Sequence, residues 1–145
     1  TNKFKRIIEK NYQPVRAITE DSQCTIWFSS SGINRVDPKV FSLQTYSTPV
    51  YFSVSPSDIR TLLADKSGRL WIGATDGGLL QFDISKRAFI HSALKDSHIS
   101  ASVYALLQDK SQNVWIGGNA GVAVINMKEE ASFYKHDPAD NIRCQ

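Results

Sequence analysis

Asp65-Lys66-Ser67-Gly68-Arg69-Leu70-Trp71-Ile72-Gly73-Ala74-Thr75-Asp76-Gly77-Gly78-Leu79 runs through two turns and the strand between them. Asp65 to Gly68 has turn chemistry, because short polar side chains bond their own backbone and glycine tolerates a positive φ. Leu70-Trp71-Ile72 is an apolar, β-prone core. Thr75 to Gly78 closes a hairpin, and Gly77 and Gly78 are expected to supply the positive φ values that hairpin turns require. Working outward, Ile59 to Ala64 forms an aliphatic strand before the aspartate. The same arrangement returns on both sides: Val15 leads to Asp21 and Trp27, Ile59 to Asp65 and Trp71, Val103 to Asp109 and Trp115. Each of the three positions steps by 44 residues twice. Such a period marks a repeat architecture.

Each unit reads as four short strands. In the third unit these are Val103 to Leu107, Val114 to Ile116, Val122 to Ile125 and Ser132 to Lys135; in the second, the last two are Leu79 to Phe82 and Ala88 to His91. Phe41, Phe89 and Phe133 are the expected aromatic anchors of the outer strands. No stretch has a sustained helical period, so the fold class is all-β. Four-stranded antiparallel units of about 40 to 45 residues in tandem are β-propeller blades.

The Asp65 to Leu79 pattern resembles the two-component regulator propeller repeat. Asp21, Trp27, Asp65, Gly68, Trp71, Gly73, Gly78, Asp109, Trp115, Gly117 and Gly121 stand at the repeated structural positions. The third unit departs with Gln112 for the turn glycine. The first departs further, with Cys24 there and Phe28-Ser29 where Ile72-Gly73 stand. The resemblance implies a sensing role, as in periplasmic ectodomains of hybrid two-component sensors of Bacteroides type. Those precede a membrane helix, a histidine kinase and a response regulator, and commonly detect oligosaccharides.

The expected organisation is an outer strand of a preceding blade over 1–11, repeats over 12–55, 56–99 and 100–140, and the start of another blade over 141–145. Propellers close with typically four to eight blades. Three are too few, and the chain opens at Thr1, so a fragment of a larger propeller, about three of seven blades, is expected. Its partners are then the remaining blades of the parent chain, with a homodimer and an oligosaccharide as further candidates.

Composition agrees with a globular domain: 41% hydrophobic and 21% charged over 145 residues. The net charge of +3 is concentrated at the start, where Lys3, Lys5, Arg6, Lys10 and Arg16 face only Glu9. Beyond residue 16 the chain is nearly neutral, without the basic groove and interleaved aromatics of a nucleic-acid binder. Cys24 and Cys144 have no metal or redox spacing and read as two unpaired thiols, with a disulfide in an oxidising compartment as the alternative.

Candidate site residues are few. The tryptophans read as blade-to-blade packing rather than a sugar-stacking row, and the repeated aspartates as acceptors within their own turns rather than calcium ligands, so neither cofactor nor metal is expected. His91, His98 and His136 share no spacing with metal-ligand partners. No catalytic residue is identified. Ligand contacts are sought where the units differ. The connection from Ser47 to Ser57 displays Tyr51 and Phe52, read either as a sugar-facing aromatic surface or as a hydrophobic plug. Asp76 and Asn119, in the hairpin turns, are candidates for bonding hydroxyls. An enzyme of lyase or glycan-cleaving type and a protein-interaction scaffold are the alternatives to a sensor.

Overall fold

The structure, a computed structural model, describes residue 7, residues 13–90 and residues 102–134. Twelve strands fall in chain order into three four-stranded antiparallel sheets. The first sheet holds β1 (Ile18–Glu20), β2 (Ile26–Ser29), β3 (Ile33–Val36) and β4 (Leu43–Tyr46). The second holds β5 (Ile59–Ala64), β6 (Arg69–Ala74), β7 (Gly78–Asp83) and β8 (Ala88–Ile90). The third holds β9 (Val103–Gln108), β10 (Val114–Gly118), β11 (Gly121–Ile125) and β12 (Ala131–Tyr134). Every sheet is a meander in which each strand pairs with the next. Two 3-10 turns, Val50–Phe52 and Pro56–Asp58, interrupt the first inter-sheet connection.

The sheets pack face on face, with β5 beside both β1 and β9. Strand alternation sends side chains to opposite faces, and the second sheet uses both. Leu62, Leu70, Ile72, Leu80 and Phe82 face the first sheet and surround Trp27. Leu63, Trp71 and Leu79 face the third sheet and meet Val103, Val114, Ile116 and Ile125. Trp27 and Trp71 therefore each belong to the core shared with the following sheet. Trp27 is fully buried, its ring 5.6 Å from Phe82 and 6.0 Å from Tyr46. Trp115 stacks on Tyr134 at 6.1 Å and is only half-buried. Fully burying an indole of 150 to 250 Å² stabilises by about 4 to 6 kcal/mol before entropy. This all-β stack of four-stranded sheets has the architecture of propeller blades.

Several local expectations are corrected. The first strand was expected from Val15, yet β1 starts at Ile18, because Pro14 has no N–H and the Ser29 hydroxyl accepts the Ala17 N–H at 3.1 Å. Phe41 lies before β4 at φ 55° rather than within it, and Tyr46 supplies the aromatic packing against Trp27 and Phe82. In the Thr75 to Gly78 turn the positive φ values belong to Asp76 (56°) and Gly78 (67°), not Gly77. Gly77 is required for another reason: a Cβ there would lie 2.2 Å from Val54 Cγ2. Apart from residue 7, the outer strand expected over residues 1–11 lies outside the described residues, as do the blade start expected over 141–145 and His91, His98, His136 and Cys144.

Candidate functional site

Alternation of turns and strands gives the stack two ends. At one end lie the aspartate turns. Asp65 Oδ1 accepts the N–H groups of Ser67 and Arg69 at 2.8 and 3.0 Å, and its Oδ2 accepts Trp71 Nε1–H at 2.7 Å. Asp21 does the same for Gln23, Thr25 and Trp27. Asp109 accepts from the Asn113 N–H and from Trp115 Nε1 at 2.9 Å each, which holds its carboxyl below its ordinary value; the indole bond is the larger cause. One carboxylate thus fixes both a turn and the rotamer of the interface tryptophan. Gly68, Cys24 and Gln112, the equivalent fourth residues of these turns, all adopt a positive φ, at 86°, 61° and 67°.

These carboxylates are engaged by the fold. Among the described residues no three His, Cys, Asp or Glu side chains gather at a metal-binding arrangement. Beside the turns, between the second and third sheets, is a cleft of about 100 Å³ edged by Trp71, Gln108 and Met127. The Arg69–Glu129 ion pair joins the two sheets there, as does the Lys66 N–H donated to Gln108 Oε1 at 3.1 Å. Ligand pockets for small molecules are ordinarily about 300 to 1,000 Å³, so this cleft is an interface gap rather than a glycan site.

The opposite end gathers the hairpin turns and the inter-sheet connections, and here the structure brings Asp76 and Asn119 to a common residue, Ser102. The Asp76 N–H donates to Ser102 Oγ at 3.1 Å, and the Ser102 hydroxyl approaches Asp76 Oδ1 at 3.4 Å. The Asn119 N–H donates to the Ser102 carbonyl at 3.2 Å. An equivalent latch joins the Thr75 N–H to the Asp58 carbonyl at 2.8 Å. Asp58 and Ser102 each precede the inner strand of their sheet, 44 residues apart. Ser102 was missed from sequence; its place just before the repeated Val103, matching Asp58 before Ile59, was the available signal.

Tyr51 and Phe52 both fall in the first 3-10 turn. The Phe52 ring, half-buried, lies 5.9 Å from Phe89 and packs against the core shared by the first two sheets. Val54, buried beneath Gly77, pins the same connection to the neighbouring hairpin. Around this end the exposed polar side chains are the Asn119 amide, the Asp76 carboxylate and the Arg60 guanidinium, whose Nε donates to Thr75 Oγ1 at 2.9 Å, while Ser102 is buried. That set suits hydrogen bonding to hydroxyl-rich molecules.

Residues 53–76 and 89–120 match the two-component regulator propeller family. No curated protein matches the chain. Among solved structures, the chain is similar to the extracellular domain assigned to a hybrid two-component system of B. thetaiotaomicron, at 24% identity and a TM-score of 0.65, over 81% of this chain and 16% of that one. A second B. thetaiotaomicron extracellular domain, likewise assigned to a hybrid two-component system, matches at 21% identity and a TM-score of 0.65, over 81% and 18%. A catalytically inactive variant of virginiamycin B lyase from Staphylococcus aureus, solved with quinupristin, matches at 15% identity and a TM-score of 0.66, over 89% of this chain and 43% of the lyase. The chain thus resembles that family over these two stretches and has a propeller fold, and it spans less than a fifth of the length of the extracellular domains it resembles. Among the described residues no helix is long and apolar enough to cross a membrane.

Proposed function

We propose that this segment is a non-catalytic part of the ligand-sensing propeller of a hybrid two-component sensor, in the periplasm, responding to an oligosaccharide. The observation that carries the reading is the family match at residues 53–76 and 89–120 on blades that resemble sensor extracellular domains. The exposed Asp76, Asn119 and Arg60 side chains at the hairpin end support it with hydrogen-bonding chemistry suited to sugars. Ligand binding would favour one arrangement of the ectodomain over another, and a kinase and transcription regulator elsewhere in the parent would respond to the shifted population.

The outer face of the third sheet supports continuation into further blades of the same parent. Leu107, Val122 and Tyr134 are 63, 44 and 57% exposed there beside the half-buried Trp115. The equivalent face of the second sheet, around Trp71 and Leu63, is covered by the third. A thermal-shift screen of the whole ectodomain against neutral and acidic oligosaccharides tests the sensing role. Stabilisation by one glycan class is expected, and no stabilisation by any would refute direct glycan sensing.

The resemblance to virginiamycin B lyase favours one second reading, a propeller lyase. Turnover of a streptogramin B by the whole protein would establish it, and intact substrate after prolonged incubation would remove it.

A further inference from the structure

The inner strands carry a feature that the repeat pattern alone does not explain. β5 slips in register against β6: Ile59 lies opposite Ala74 and Thr61 opposite Gly73, which leaves Arg60 without a partner. β9 slips at the same place, with Val103 opposite Gly118 and Ala105 opposite Gly117, and Tyr104 is left over. In the first sheet the Ala17 carbonyl accepts the Ser29 N–H at 3.0 Å. Ser29, Gly73 and Gly117 all stand two residues after their tryptophan, so Arg16 occupies the equivalent position. Bulges re-aim one side chain out of the pleat and are common beside binding sites.

The direction in which Arg60 is aimed follows from its neighbours. Ile59 is fully buried in the core shared with the first sheet. The Thr61 methyl lies beside Gly73, close to Val103 of the third sheet. A residue bulged between them enters neither interface, and the Arg60 side chain turns to the hairpin between β6 and β7, where its Nε donates to Thr75 Oγ1. β5 is the inner strand of its sheet, since β6 pairs with one of its edges and β1 and β9 flank it. Arg16 and Arg60 are exposed, and Tyr104 is 52% exposed. Among the described residues neither arginine has an ion-pair partner. Asp58 and Asp76 form no ion pair among the described residues: Asp58 Oδ2 accepts the Ser55 N–H at 3.1 Å, and the Ser102 hydroxyl approaches Asp76 Oδ1 at 3.4 Å. Arg60 spends its Nε on Thr75 and keeps its terminal nitrogens free of described carboxylates.

We propose that Arg16, Arg60 and Tyr104, at equivalent positions near the start of the inner strands and beside the hairpin end of the stack, form a row that binds the carboxylate or sulfate of an acidic glycan. This rests on the glycan-sensing reading above and narrows it to anionic sugars. The guanidinium forks match carboxylate or sulfate oxygens in a two-point geometry that a lysine would not reproduce. The tyrosine ring offers an apolar face to the sugar and a hydroxyl to its rim.

The test is calorimetry on the whole ectodomain with three probes: a glucuronate-containing tetrasaccharide, a sulfated disaccharide and a neutral gluco-tetraose. At least one acidic probe should bind, more weakly as salt rises, while the neutral one does not. Arg16→Gln and Arg60→Gln should each weaken binding by about 10-fold or more, the order expected for loss of a charge-assisted bond. Arg60→Lys should recover part of that loss, and the melting temperature should stay unchanged in all three. Preference for the neutral probe, or acidic binding that survives the double Arg16→Gln/Arg60→Gln variant, overturns the proposal and leaves glycan sensing standing. No binding of any glycan overturns both.

Discussion

Replacing Asp65 by alanine removes the acceptor for four donors at once. Oδ1 receives the Ser67 N–H and hydroxyl and the Arg69 N–H, and Oδ2 receives Trp71 Nε1–H at 2.7 Å. Trp71 is 2% exposed, so its N–H cannot turn to water and loses a bond to a charged acceptor, about 1.5 to 3 kcal/mol. The two turn N–H groups are only partly buried, and each adds about 0.5 to 1 kcal/mol. The expected loss for Asp65→Ala is therefore about 2.5 to 5 kcal/mol. At Asp109 the indole bond is kept, with the Asn113 amide in place of a serine hydroxyl, yet Trp115 is half-buried and part of its loss returns as hydration, so a smaller cost than at Asp65 is expected. Equilibrium urea unfolding followed by circular dichroism measures both. Combining Asp65→Ala with Trp71→Phe, which removes the donor, isolates the pair, with an expected coupling of about 1.5 to 3 kcal/mol. Equal costs at Asp65 and Asp109, or a coupling near zero, would refute the account of the carboxylate as the anchor of the interface indole.

Cys24→Gly and Gln112→Gly should each raise stability by about 0.5 kcal/mol, since relief of a left-handed conformation outweighs the added freedom of the unfolded glycine, whereas Gly68→Ala should lose about 1 kcal/mol; thermal melts read all three. Gly77→Ala should cost about 1 to 3 kcal/mol by driving a methyl into Val54, and Val54→Ala in the same chain should recover part of it, which a purely conformational cost would not allow. Because the Asp109 carboxyl titrates below its ordinary value in the folded chain, its contribution is complete above about pH 4 and lost as pH falls through the folded value. Acid titration of the fluorescence of a Trp27→Phe/Trp71→Phe variant, which leaves Trp115 as the reporter, should show that loss, and Asp109→Asn should abolish it.

The repeat made the strands legible because the two-residue alternation and the aspartate-to-tryptophan spacing are local signals. β6, β7, β10 and β11 match their expected cores to within a residue or two. Where side chains intercept the backbone the reading failed: the Ser29 hydroxyl shortened β1, a bond to a residue 12 positions away that no window around Val15 could contain. Gly77 was credited with backbone freedom when its role is steric, because Val54 reaches it from a different loop. The same blindness hid Ser102, which acts through its carbonyl and hydroxyl toward turns 17 and 26 residues distant. The bulges at Arg60 and Tyr104 leave no trace in hydrophobic patterning, since one unpaired residue changes the register and not the composition.

The two inter-sheet cores differ in character. Between the first and second sheets Trp27 meets Phe82, Tyr46 and, through Phe82, Phe89. Between the second and third, Trp71 meets Ile125, Ile116 and Val114, which are aliphatic. Phe82 and Ile125 are counterparts in the repeat, opposite Leu70 and Val114. A chain of identical blades would dock any one against any other at equal energy, and tandem repeats misassemble by that route. Here the third sheet placed on the first would present Ile125 to the space that Phe82 fills, leaving a ring-sized void beside Trp27. The blades are thus keyed as well as stacked, and their order during folding is written into which partner each tryptophan accepts.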